Sequence, residues 1–149
     1  NRIQSDMAIY ASIKDPGKLM AVFRLGGGHI FSKDYEYFQA MSIGSNNFVR
    51  GFRKNRFAGK SMAYGSTELR YKLFTSKSYL LPGDVGAFGF YDLGRVWQPG
   101  ESSSKWHAGY GGGLYFVPYH LLMISAGLGV TDEGSLFNFT VGTKFNLTF

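Results

Sequence analysis

The residues best equipped for chemistry lie in one stretch, "NNFVRGFRKNRFAGK" at 46–60. It carries Arg50, Arg53, Lys54, Arg56 and Lys60, no acid, and Phe48, Val49, Phe52 and Phe57 threaded between the charges. Guanidinium and ammonium groups at this density can grip phosphate, pair with carboxylates, or stay solvated. Other reactive groupings are thin. His29, His107 and His120 show no ligand spacing and there is no cysteine, so neither a metal site nor a disulfide framework is expected. No Ser-His-Asp grouping stands out. "LGGGH" and "GYGGGLYF" lack the Lys-Ser/Thr or the helix of a phosphate loop, and Gly109, Gly111 and Gly113 read as relief of crowding on a curved strand. "NFT" and "NLT" match the glycosylation sequon but fall inside a strand pattern and read as chance. No catalytic residue and no cofactor is expected, and the chain does not read as an enzyme.

The elements that must position the basic stretch are β-strands. Aromatics make up 17% of the 149 residues, with 14 Phe and 10 Tyr, and there are 21 Gly. Such a mixture favours β-structure. In "FNFTVGTKFNLTF", Phe137, Phe139, Val141, Phe145, Leu147 and Phe149 share one face, against Asn138, Thr140, Gly142, Lys144, Asn146 and Thr148. The same period of two runs through "LLMISAGLGV", "WHAGYGGGLYF" and "AYGSTELRYKLF". Seven strands are expected, at about 3–13, 19–28, 62–74, 84–97, 106–117, 121–131 and 136–149.

No apolar run approaches 18 residues, so no helix is expected to span a bilayer. A β-barrel needs only about 9–11 alternating residues per crossing and remains open. A soluble sandwich or lipocalin-like barrel would use the same alternation. The second face decides for a membrane barrel: Gly, Asn, Ser, Thr, Lys and Glu suit a wet lumen. Trp97, Trp106, Phe116, Tyr119 and Phe149 near strand ends suit interfacial girdles. "DPGK" (15–18), "VPYH" (117–120) and the longer "TSKSYLLPG" (75–83) read as turns at one end. "QPGESSSK" (98–105), "TDEGS" (131–135) and residues 31–62 read as loops at the other. The formal charge of +6 favours an anionic partner. Between membrane strands that partner is lipid or lipopolysaccharide, and nucleic acid is not expected.

The basic stretch resembles the conserved loop of the BamA/TamA-like superfamily of outer-membrane assembly and translocation barrels, the bacterial surface antigen family. The resemblance rests on Val49-Arg50-Gly51-Phe52, on the lead-in "YFQAMSIGSNN", on "RFAG" followed by "STELRYKLF", on "FGFYDLGRVW", and on the strand ending in Phe149. Where the family often has a Gly pair, this chain has Gly44-Ser45. The resemblance implies that the loop folds back into the barrel lumen, where Arg50 meets Glu68 and Asp92. Alternation agrees in one respect: Glu68 opposes Leu69 and Tyr71, and Asp92 lies between Tyr91 and Leu93, so both carboxylates point inward. The planar guanidinium can satisfy two carboxylates, Gly51 permits a turn or close approach, and Phe52 and Phe57 can dock the tip. Arg53, Lys54, Arg56 and Lys60 read as loop surface or lipopolysaccharide contacts.

Seven strands conflict with the even strand number of bacterial barrels. Either "YEYFQAMSI" (35–43) supplies an eighth, or residues 1–149 form the C-terminal part of a sixteen-stranded barrel with about nine further strands ahead. The second expectation fits the resemblance, which places five strands after the loop. The resemblance further implies that the barrel inserts or translocates other proteins at the bacterial outer membrane. Its partners would be the remaining strands, client outer-membrane proteins and accessory lipoproteins. Gly142, Phe145, Leu147 and Phe149 would carry the C-terminal signal read by the assembly machinery. Two alternatives stand: a barrel that anchors or exports a soluble enzyme domain fused ahead of it, and a complete small structural barrel.

Overall fold

The computed structural model describes residues 2–14, 18–31, 40–44, 49–53, 56–98 and 105–143. The described residues form nine strands: β1 Arg2–Lys14, β2 Leu19–Ile30, β3 Met41–Ile43, β4 Phe57–Gly59, β5 Ser61–Ser76, β6 Gly83–Trp97, β7 His107–Pro118, β8 Leu122–Thr131 and β9 Gly134–Thr143. Seven of them make one antiparallel sheet in the order β1-β2-β5-β6-β7-β8-β9, while β3 and β4 pair separately. The wall is therefore all-β and made of nearest neighbours, as the alternation predicts. It is not closed, and β1 and β9 stand at its edges.

One expectation needs correction, and one alternative is answered in part. Residues 41–43, which with Ala40 are the described part of "YEYFQAMSI", form a strand that pairs with β4 through Met41–Gly59, Ser42–Ala58 and Ile43–Phe57 and does not join the wall, while 35–39 lie outside the described residues. "TDEGS" is not a longer loop. Thr131 pairs with Gly134, leaving a two-residue turn at Asp132-Glu133.

Alternation divides the wall into two faces with opposite solvents. Leu69, Tyr91, Tyr110, Leu114, Phe137 and Phe139 all stand exposed on the outward face. A water-soluble surface rarely leaves so much contiguous apolar area bare, whereas a lipid-facing band requires it. The opposite face carries Glu68, Asp92, Tyr64 and Phe90, all buried. Described residues of the 31–62 loop, Ile43, Val49, Arg50 and Phe52 among them, lie against this inner face.

At two points the inner face joins neighbouring strands by laying a tyrosine over a glycine. Tyr64 stands opposite Gly26 and Tyr115 opposite Gly86. The ring fills the space a Cβ would take, since an added Cβ on either glycine would overlap the tyrosine ring. Such a cross-strand fit pins register, because a slip of one residue would send each ring to the wrong face. Replacing Gly86 with Val should displace the Tyr115 ring and cost about 1–3 kcal/mol of wall stability. The check is the urea midpoint of the folded, heat-modifiable species; an unchanged midpoint would show that the ring and the glycine are independent.

Candidate functional site: a loop seated on the inner face of the wall

The loop holds its shape by two devices. The short β3–β4 ladder brings its limbs together, and Lys60 N–H donates to the Trp97 carbonyl (2.8 Å) where the second limb rejoins the wall. Its apolar residues then form a small core with the wall: Ile43, Val49 and Phe52 from the loop against Met62, Tyr64 and Ile30. Val49 and Ile43 are fully buried, and room for them exists because β6 has Gly94 there. A Cβ at that position would lie 2.8 Å from Ile43 Cδ1. Phe52 meets Phe57 edge-on at 5.1 Å, and Phe57 stacks on His107 at 3.6 Å.

At the tip, Arg50 is held by the wall through its backbone nitrogen and all three guanidinium nitrogens. Its backbone N–H and Nε both donate to Asp92 Oδ2 at 2.9 Å, and Nη2 donates to Asp92 Oδ1 at 3.0 Å. Ser66 Oγ–H adds a fourth bond to Asp92 Oδ1 (2.6 Å) and accepts from Nη2 at 3.2 Å. All four lone-pair directions of the fully buried Asp92 carboxylate are thereby used. Nη1 donates to Glu68, which also accepts from Arg70 Nε. The guanidinium lies over the Phe90 ring, with Cζ 3.8 Å from the ring centroid. Two cations thus face two anions. The cluster is neutral as a whole, which is the condition under which ionised groups tolerate burial.

Glycines let the backbones touch. Gly51 has φ +98°, a conformation costly for any side chain. A Cβ on Gly129 of β8 would sit 2.8 Å from both Gly51 Cα and Gly51 N. Gly109 of β7 lies beneath the Arg50 carbonyl with no room for a Cβ.

Among the residues the sequence singles out, Val49, Arg50, Gly51, Phe52, Glu68 and Asp92 are brought together here. Gly142 stands on β9, exposed, with no atom within contact of its face. Phe145, Leu147 and Phe149 lie outside the described residues, as does Lys54. Arg53 is exposed. Arg56 is not simply solvated: its Nε and Nη2 donate to the two Glu133 carboxylate oxygens at 3.0 and 2.9 Å, tying the loop to the β8–β9 turn. Lys105 ties the β6–β7 connection to the same turn through Asp132, at 3.1 Å. Ser66, Arg70, Phe90, His107 and Gly129 complete the site without having been singled out for it. A partial signal existed, since Ser66, Arg70 and Phe90 fall on the inward parity of Glu68 and Asp92.

A family model described as Haemolysin secretion/activation protein ShlB/FhaC/HecB matches residues 29–116, the span from the end of β2 through the loop to β7. This chain belongs to that family. Family members are bacterial outer-membrane proteins of protein secretion, not enzymes. The match supports the superfamily resembled by the Val-Arg-Gly-Phe loop, on its secretion side, and does not single out the BamA/TamA branch. No curated protein matches the chain.

Two predictions follow from the seat. Arg50→Ala strips Asp92 of two side-chain bonds and Glu68 of one, and should cost up to about 3–5 kcal/mol, less whatever lumenal water restores, with Arg50→Lys recovering only part. Hydrogen exchange at the amides of residues 49–53 should accelerate accordingly. Gly129→Ala should release the same amides while leaving every charge in place, because the loop backbone can no longer approach. Protection unchanged in either variant would refute the seat. At the rim, the Lys105 ammonium, by its hydrogen bond, holds the Asp132 carboxyl below the usual aspartate range. This tie is fully present above the ordinary aspartate pKa and is lost as pH falls through the depressed one. The share of turn protection due to Lys105 should therefore be lost only on strong acidification, and Asp132→Asn should remove that share while the Arg56–Glu133 tie keeps its own.

Proposed function

We propose that this chain forms part of the wall of an outer-membrane channel that exports polypeptide clients, and that its 31–62 loop is the channel's movable inner plug. The observation that carries the reading is the seating of Arg50 on Asp92 and Glu68 inside the wall of a secretion-family protein. A permanent filling would be apolar and large. This loop is attached by a compact polar cluster, one small core and the Arg56–Glu133 pair, and its withdrawal would open Asp92 and Glu68 to lumenal water that can hydrate the carboxylates the guanidinium leaves.

An open sheet cannot stand in lipid, because unpaired backbone groups at its edges have no water to bind. The edges at β1 and β9 therefore require further strands, and the expected sixteen-stranded barrel is the reading that provides them. The segment with Gly142, Phe145, Leu147 and Phe149 would serve as its assembly signal, and lipopolysaccharide and accessory lipoproteins would be its neighbours.

A second reading uses the β9 edge. Its unpaired ladder groups could template a client strand, which is insertion into the membrane instead of export across it. The two readings diverge under one substitution. Arg50→Ala, with the barrel still present in the outer membrane, should unseat the plug and change export of a secreted client by tenfold or more. It should leave strand insertion of membrane clients unchanged. Export at the parental level would overturn the plug reading, and loss of insertion alone would favour the second. An enzyme-anchoring role predicts neither effect.

A further inference from the structure

The outward face holds a second site, unrelated to the loop seat. Near the end of the wall that carries the long loop, small residues leave a shallow groove of about 640 Å³. Ala63 and Gly65 on β5 form its floor, Leu25 and Leu93 its sides, and Trp106 its upper end. Gly65 stands opposite both Leu25 and Leu93 in the ladder, which fixes all three on one face. Directly opposite Ala63 is Arg95. Gly94 faces the loop core, so Arg95 projects to the outer side. Its guanidinium carbon lies 4.9 Å from the Trp97 ring centroid and 5.9 Å from that of Trp106. The two indoles meet edge-on at 6.5 Å. One row nearer the rim, His29 and Ser61 share a hydrogen bond of 2.7 Å and add polar groups.

An arginine on a lipid-facing wall is tolerated near the interface, where its charge can meet headgroups, and tryptophans concentrate at that level. Here the cation also lies against two rings and stands beside the groove, opposite Ala63 of its floor. We propose that the groove binds a phosphorylated lipid of the outer leaflet, with one acyl chain over Ala63 and Gly65 and the phosphate on Arg95. The long connections mark this end as the extracellular one, which selects the leaflet. Charge complementarity selects the occupant: a guanidinium fork matches phosphate, and Ala63, Gly65, Leu25 and Leu93 suit an acyl chain, with Ser5 and Asp6 lining the far side. The site rests on reading the outward face as lipid-facing and is independent of the plug.

The test uses the intact outer-membrane protein in a neutral detergent, with bisphosphorylated lipid A as the probe and native mass spectrometry as the readout. Dephosphorylated lipid A and inorganic phosphate serve as controls. Bisphosphorylated lipid A should bind at least tenfold more tightly than the dephosphorylated form, and inorganic phosphate should not compete. Arg95→Gln should remove that preference. Gly65→Leu, whose added Cβ would meet only Leu25 Cδ2, at 3.0 Å, should fill the groove and weaken binding of both lipids. Equal binding of the two lipids by the parent protein would overturn the proposal. So would parental affinity in Arg95→Gln, or in Gly65→Leu. Because client export is not the readout, failure here leaves the channel reading standing.

Discussion

The structure depends on one guanidinium being shared between two carboxylates. Asp92 has no access to water, and Glu68 has little. Two such acids on adjacent strands would repel one another and lose hydration, and without a cation the inner face would be a destabilised surface. Arg50 meets both at once, and it brings its own backbone N–H as a further donor to Asp92. A lysine would supply charge but neither the fork nor the flat surface that lies on Phe90. Everything nearby is arranged around that need. Gly51 turns the chain, Gly109 and Gly129 let it come close, and Val49 and Phe52 hold it from either side.

The same sheet meets two different solvents, and period-two alternation is what separates them. The outward residues are those a hydrocarbon layer accepts, while the inward ones pair with each other and with the loop. The family assignment agrees with this division, since a secretion channel of the outer membrane needs lipid outside and a polar path within. The seat and the groove beside Arg95 lie on opposite faces of β6, because Asp92 and Arg95 stand three residues apart and so have opposite parity.

Most of the wall was legible because alternation is a long-range, redundant signal. Each of the seven wall strands has ten or more residues over which it repeats. β3 and β4 have three residues each and lie in a loop, too short for any period to register. Glu68 and Asp92 could be placed inward by parity alone. Arg50 could be joined to them only through the resemblance of Val49-Arg50-Gly51-Phe52, because a loop has no parity. His107 shows no ligand spacing in the sequence, yet it works as a flat ring beneath Phe57. Gly109 reads as relief of strand crowding, whereas it gives space to the Arg50 carbonyl. The pairing of Arg56 with Glu133 joins residues far apart in the chain, and no local pattern announces it.

On the proposed reading, the loop sits in the lumen and must leave its seat for transport. A cysteine pair at Val49 and Gly94 tests both halves, because these residues face each other between loop and wall. Oxidation in intact outer membranes should form the crosslink and stop client export, and reduction should restore it. A crosslinked protein that exports its client at the parental rate would contradict the account.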